Sequence, residues 1–160
     1  MEEKLLKIIG EEAAGEAIEL LVREMPIGVL LTNDKLEVLY TNQNIEQFLK
    51  DTPISEKLVL GNQLHCENVA DDALCGSTAK CDSCLIRNNA LNALQQDRII
   101  RNVKVHFRHL RKNGLYSSWL DLTFIPQKSN GEKRLWIFLI NTTERVQEKL
   151  VREMQKFLEI

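Results

Sequence analysis

Every cysteine in this chain falls in one short stretch. Cys66, Cys75, Cys81 and Cys84 are spaced C-x8-C-x5-C-x2-C, with none elsewhere in the 160 residues. Four thiolates suffice to close a tetrahedral zinc site or to hold an iron–sulfur cluster. Zinc sites prefer two tight Cys-x-x-Cys knuckles, and only Cys81–Cys84 is one. Iron–sulfur clusters tolerate more irregular loops, so the spacing favours an iron–sulfur centre held by Cys66, Cys75, Cys81 and Cys84. Zinc, reversible thiol–disulfide switching and inert reduced cysteines are the alternatives.

The run Cys75-x5-Cys81-x2-Cys84 resembles part of the ligand run of some two-iron ferredoxins. In those the fourth ligand lies well downstream, whereas here Cys66 lies upstream, which leaves the cluster type open. Small and polar neighbours (Gly76, Ser77, Thr78, Ala79) leave backbone N–H groups free to donate to sulfur. Cys84, with Cys81 close behind it, is expected at the start of a helix, where the dipole favours thiolate. His65 beside Cys66 reads as a surface or hydrogen-bonded group rather than a ligand. No G-x-S-x-G, phosphate-cradling glycine loop or H-E-x-x-H occurs, so no catalytic residue is assigned. A thiol oxidoreductase using Cys81 and Cys84 is the enzymatic alternative, and it lacks the βαβ context such motifs keep.

Composition bounds the setting. The apolar fraction is 44%, the charged fraction 28% and the formal net charge −2. That is an ordinary globular balance, with no global field for nucleic acid or anionic lipid. Arg98, Arg101, Lys104, Arg108, Arg111 and Lys112 form an acid-free basic run, read as the solvated face of an alternating strand. No run of about 18 apolar residues suggests a membrane span, and the acidic start M-E-E-K-L-L-K lacks the features of a signal peptide. The expectation is a cytoplasmic protein whose thiols stay reduced.

The elements that must position the cysteines can be read around them. Residues 2–24 carry Leu5, Ile8, Ile9, Ala13, Ala17, Leu20 and Leu21 at helical spacing, and Met25-Pro26 stops the helix. A hairpin follows: Ile27–Thr32, a turn at Asn33-Asp34, then Leu36, Val38 and Tyr40. Thr41-Asn42 offers an N-cap for a short helix, Asn44–Leu49, closed before Pro53, and Gly61 reads as a loop pivot. After the cysteines, Asp82 or Ser83 can cap a helix through Leu94, ending at Gln95-Gln96-Asp97. Three β runs, Ile99–Leu110, Leu115–Ile125 and Arg134–Asn141, are joined by Asn113-Gly114 and Asn130-Gly131, strong hairpin signals. The run Leu135–Ile140 is apolar on both faces and belongs mid-sheet. Trp119 and Trp136 read as core or sheet-surface residues. Thr142 or Thr143 caps a final helix whose Val146, Leu150, Met154, Phe157 and Leu158 form a narrow coiled-coil-like stripe. The stripe is unfinished at Ile160, as in a fragment of a longer protein.

This order resembles the PAS domain, a sensor module of signalling proteins. M25-P-I-G-V-L-L-T-N-D-K-L-E-V-L-Y-T-N42 is similar to the opening PAS hairpin, and W136-I-F-L-I-N-T-T-E-R145 to the exit into a signalling helix, with Asn141 in place of the usual Asp. Gly61–Arg87 resembles a cysteine-bearing subset of bacterial and archaeal PAS sensors. The resemblance implies an α+β fold: a five-stranded antiparallel sheet of order 2-1-5-4-3 flanked by helices. The parts would be an N-terminal helix (1–24), a sensor domain (25–143) with a cysteine loop (61–87), and an exit helix (144–160). It further implies a small-molecule or cofactor pocket between sheet and helices, homodimerisation through the terminal helices, and a histidine-kinase-associated or similar output domain or partner. The confinement of all thiols to one loop adds the expectation of redox or oxygen sensing at the cysteines. A PAS domain that binds an organic ligand or only dimerises, with structural or inert cysteines, is the alternative.

Overall fold

The computed structural model of the chain describes residues 2–52, 55–69 and 73–159. Pro53 lies outside them, as do residues 70–72 within the cysteine loop.

The N-terminal periodicity resolves into two helices, α1 (Glu2–Ile9) and α2 (Glu11–Glu24), rather than one. Gly10 lies between them at φ +85°, a conformation that glycine adopts without a Cβ penalty and that interrupts a helix. No side chain of α2 is buried.

The hairpin comprises β1 (Gly28–Asn33) and β2 (Val38–Thr41). The second strand begins later than its alternation suggests. Asn33 Oδ1 accepts from the backbone N–H of Lys35 and of Glu37, each at 3.0 Å. This wraps the chain into a turn that puts Leu36 at φ 62° and fully inside. Helix α3 (Gln43–Phe48) is capped as its sequence indicates, by Asn42 Oδ1 accepting from Ile45 N. Val29 N also donates to that oxygen, while Asn42 Nδ2 donates to the carbonyls of Val22 and Ile27, each at 2.9 Å. One side chain thus ties the incoming helix, the first strand and the first core helix together.

Gly61 is not a loop pivot. It lies within a single helical turn, α4 (Leu60–Gln63). Helix α5 (Leu85–Gln96) follows a 3-10 turn over Ala79–Ser83 and ends at Asp97, whose left-handed φ of 48° closes it.

Strands β3 (Ile100–Arg111), β4 (Gly114–Ser129) and β5 (Glu132–Asn141) form the meander. At Asn130-Gly131 both residues take positive φ (52° and 78°), whereas at Asn113-Gly114 only the glycine does, at 136°. Every pairing is antiparallel, and the sheet order is β2-β1-β5-β4-β3. The strand that is apolar on both faces is central. Its Leu135, Ile137 and Leu139 are buried against the helices, while Trp136 and Phe138 lie half-buried on the outer face.

Ile45, Phe48, Leu60, Leu64, Ile86 and Ala90 pack from the helices onto Leu30, Phe107, Leu122, Phe124 and Ile137 of the inner face. Each of the leucine, isoleucine and phenylalanine side chains contributes ~1.5–3 kcal/mol by leaving water. The outward residues of β3 (Lys104, His106, Arg108) are exposed, as expected of a charged edge strand. Tyr116 has the inward parity of β4 but sits beyond the core, exposed, with the Arg111 guanidinium 5.0 Å from its ring centre.

The exit helix α6 (Thr143–Leu158) buries none of its residues. Leu150, Met154, Phe157 and Leu158 stand exposed. Its N-terminus is pinned to β4 at Trp119. Thr142 N and Oγ1 both donate to Trp119 O (2.8 and 3.1 Å), and Trp119 N donates to Thr143 Oγ1 (2.9 Å). Asn141 Oδ1, rather than either threonine, accepts from Thr143 N.

Candidate functional site

The four cysteines arrive on different elements yet face one space. Cys66 follows α4 and pairs across a β-bridge with His109 of β3, while Leu110 N donates to His65 O at 2.8 Å. The cysteine loop is therefore stitched to the sheet edge. Cys75 is placed by Asn62 of α4, whose Oδ1 accepts from Cys75 N at 2.8 Å and whose Nδ2 donates to Ala73 O at 2.9 Å. Cys81 lies in the 3-10 turn, and Cys84 closes it with its N–H donating to Cys81 O.

All four side chains line a single cavity of about 30 Å³, walled by Leu36, Leu64, Val69 and Phe107. Cys81 is buried, and the others are partly so. No cysteine is in a disulfide. Among the described residues, no group of three or more His, Cys, Asp or Glu side chains stands in metal-holding geometry. The sulfurs share a space without converging on one point.

Backbone donors address the sulfurs. Gly76 N donates to Cys81 Sγ at 3.3 Å, and the Thr78 hydroxyl lies 3.1 Å from the same sulfur. Helix α5 is capped neither by Asp82 nor by Ser83 but by Cys84 itself, whose Sγ accepts from Arg87 N at 3.4 Å. The expected place of Cys84 at the helix start is thus met, with sulfur in the role of a capping oxygen.

The thiols differ in acidity. Burial pushes Cys66 up to about 11, and the neighbouring thiols add to the shift. Burial likewise raises Cys75. At Cys81 burial also pushes upward, but the Thr78 and Gly76 hydrogen bonds and the Arg87 guanidinium outweigh it, so its thiol lies below the usual range. Burial and the neighbouring thiols thus oppose the thiolate form of Cys66 and Cys75. A bound cation reverses that balance.

Two close approaches depend on glycine. A Cβ on Gly61 would stand 2.6 Å from Cys75 Sγ, so the absence of a side chain there makes room for the thiol. Gly76, at φ +93°, would meet the Arg87 guanidinium at 2.7 Å. Arg87 and Asn62 were not singled out by sequence reasoning. Both lie within the Gly61–Arg87 stretch, but no role was assigned to either, and their roles appear only once the loop folds back on α4 and α5.

His65 is partly buried at φ 56°, and burial lowers its pKa. His109, fully buried, lies against the rings of Phe48 and Phe107 with Nε2 2.9 Å from Ser118 Oγ. Among the described residues, its Nδ1 has no hydrogen-bond partner. Burial, then the Arg111 charge and His65, lower its pKa to about 4.

No family model matches the chain, and no curated protein matches it. Similar folds occur among solved structures. An RNA-binding Light-Oxygen-Voltage receptor superposes with a TM-score of 0.59 at 12% identity, covering 95% of this chain; the chain spans 39% of that protein's length. The phage VqmA–DPO complex gives 0.55 at 15% identity, over 93% of this chain and 62% of that one. The PAS domain of a protein from Colwellia psychrerythraea gives 0.50 at 13% identity, over 81% and 97%. With helices packed on one face of an antiparallel sheet of order 2-1-5-4-3, the chain has the PAS fold.

Proposed function

We propose that this chain is a sensory module of signal transduction whose input site is the four-thiol cavity, and that the cavity takes a redox-active metal centre. The carrying observation is that Cys66, Cys75, Cys81 and Cys84, from separate elements, line one space behind the sheet. The donor set suits a thiophilic metal. Four sulfurs are available, N–H groups stabilise two of them, and a glycine makes room for a third. The irregular C-x8-C-x5-C-x2-C run supports an iron–sulfur centre, which when bound would supply one-electron redox chemistry. A zinc reading is favoured by one observation: a cavity of about 30 Å³ has the room of a single small ligand rather than of a multi-atom cluster.

The chain's own residues supply the rest. Cys66 is bridged to β3, β3 pairs along its length with β4, and β4 holds the start of α6 at Trp119. A change in the loop therefore has a bonded route to the exit helix, of the order–disorder kind known in switches. The exposed apolar residues of α1, α2 and α6 support homodimerisation through the terminal helices and an output domain or partner kinase outside the chain. No helix among the described residues is long and apolar enough to cross a membrane, and reduced thiols fit a cytoplasmic site.

Anaerobic purification followed by an absorbance spectrum and iron, sulfide and zinc analysis tests the reading. Stoichiometric iron with sulfide supports it, whereas stoichiometric zinc alone, which has no redox chemistry, supports the zinc reading instead. A colourless, metal-free protein with four freely titratable thiols rules it out.

A further inference from the structure

The four thiols are not equivalent in their access to solvent. A groove of about 370 Å³ runs between the cysteine loop, the start of α5 and the edge strand β3. Cys66 and Cys84 line both this groove and the buried cavity, whereas Cys75 and Cys81 line the cavity alone. Cys81 is buried and Cys75 is partly exposed like Cys66 and Cys84, but only Cys66 and Cys84 open onto this groove. This cuts across the sequence, in which Cys81-x-x-Cys84 is the natural redox pair.

The groove also has a chemical character. Lys80, Arg108 and His106 line it, and Glu67 lies 3.5 Å from the Arg108 guanidinium at its rim. Arg108 is half-exposed, so this ion pair holds it loosely. Two cations against one carboxylate favour an anionic visitor. Inside, Cys84 Sγ is fixed at the α5 N-terminus by the Arg87 N–H, and Cys66 is fixed by its bridge to His109.

We propose that Cys66 and Cys84 are a thiol-exchange pair, which the groove opens to small disulfides bearing carboxylates. The Cys84 sulfur attacks one sulfur of the incoming disulfide. The S–S bond breaks, one thiolate leaves, and a mixed disulfide on Cys84 remains. The Cys66 sulfur then attacks Cys84 Sγ and expels the second thiolate, closing Cys66–Cys84. The two cysteine protons pass to the departing thiolates, so two protein thiols are oxidised as one small disulfide is reduced to two thiols. Two small thiols reverse the sequence. The inference deepens the reading of the cavity as an input site. It adds that the metal-free cavity responds to the thiol–disulfide state of its surroundings through two of its four ligands. A bond there would fasten the start of α5 to the strand that leads toward the exit helix.

The test uses the full chain, stripped of metal by a chelator under reductant and then desalted. Glutathione disulfide is added, samples are quenched with N-ethylmaleimide over time, and peptides are mapped by mass spectrometry. Cys66–Cys84 is the first internal disulfide expected, with Cys75 and Cys81 recovered as maleimide adducts. A first disulfide joining Cys81 to Cys84 or Cys75 to Cys81, or no exchange at all, overturns the proposal. A Cys75→Ser/Cys81→Ser chain that still melts cooperatively is expected to keep the cross-link, and its loss there also overturns it. Lys80→Glu/Arg108→Glu is expected to slow exchange with glutathione disulfide about 10-fold without slowing the dicationic disulfide cystamine. Equal slowing of both, or of neither, refutes the role given to the groove. Because exchange is followed on metal-free protein, its failure is separable from a failure to find metal in the protein as purified.

Discussion

Gly61→Ala isolates the packing on which the thiol cavity depends. Gly61 sits in a helical turn with no positive φ, so the backbone accepts alanine. Helix propensity alone would favour the change by about 0.8–1 kcal/mol. The opposing effect is steric. The new Cβ would stand 2.6 Å from Cys75 Sγ and 3.0 Å from Cys75 Cβ, and real Cβ atoms essentially never come within 3.0 Å of a neighbour. Cys75 cannot simply retreat, because its N–H is held by Asn62 Oδ1 at 2.8 Å. Overpacking of this kind costs about 1–3 kcal/mol, which exceeds the helix gain. The expected net loss of about 1 kcal/mol lowers Tm by about 2–4 °C in a chain of this size. Urea unfolding and a thermal melt read the stability, and maleimide labelling reads the exposure of Cys75, which rises. In a Cys75→Ala background the sulfur contact is gone, so the same Gly61→Ala change costs less, by about 1 kcal/mol of coupling. A Gly61→Ala protein as stable as the parent, with Cys75 labelling unchanged, refutes this account of the cavity wall.

Asn42→Ala removes the side chain that serves four backbone groups from a position 1% exposed. A loss of about 3 kcal/mol is expected in urea unfolding, with faster amide exchange across α2 and α3. His109 gives a pH signature. Its folded pKa of about 4 lies below the ordinary 6.5, so the unfolded chain binds more protons between those values. Its contribution is full above about pH 6.5 and falls as pH drops toward 4, by about 2 kcal/mol between pH 7 and pH 5. The pH dependence of urea unfolding should flatten by that amount in His109→Phe. Asn141→Asp puts a carboxylate where the amide oxygen already accepts from Thr143 N. Charge at a helix N-terminus should stabilise α6 by about 0.3–1 kcal/mol, seen as slower amide exchange over its first turn.

The fold was legible where local rules are strong. Asn130-Gly131 and Asn113-Gly114 located the meander turns, and the two-faced Leu135–Ile140 run located the central strand, because hairpin turns and double burial leave marks on composition. The hydrogen bond that Asn141 Oδ1 accepts from Thr143 N and the N-cap at Asn42 lie near where polar residues precede helical periods. Other features resisted because tertiary contacts decide them. Gly61 looks like a loop residue, yet its small size serves the Cys75 sulfur rather than a turn. Asp82 and Ser83 are good capping types, but the 3-10 turn through Ser83 carries the cap on to Cys84. Gly10 divides a pattern that reads as one helix, since apolar spacing continues across the break. The cysteines were obvious as a cluster. That Cys66 and Cys84 face the groove beside β3 depends on where that strand passes, which spacing does not encode. Arg87 acquires its role beside Cys81 only through the fold of Gly76 against it.

The claim that these four sulfurs form one ligand set is tested most directly by X-ray absorption at the metal edge of the chain purified without oxygen. The account predicts a first shell made of sulfur alone near 2.3 Å, degraded by Cys→Ser at any of positions 66, 75, 81 and 84. A shell dominated by oxygen and nitrogen, or one that survives all four substitutions, contradicts it.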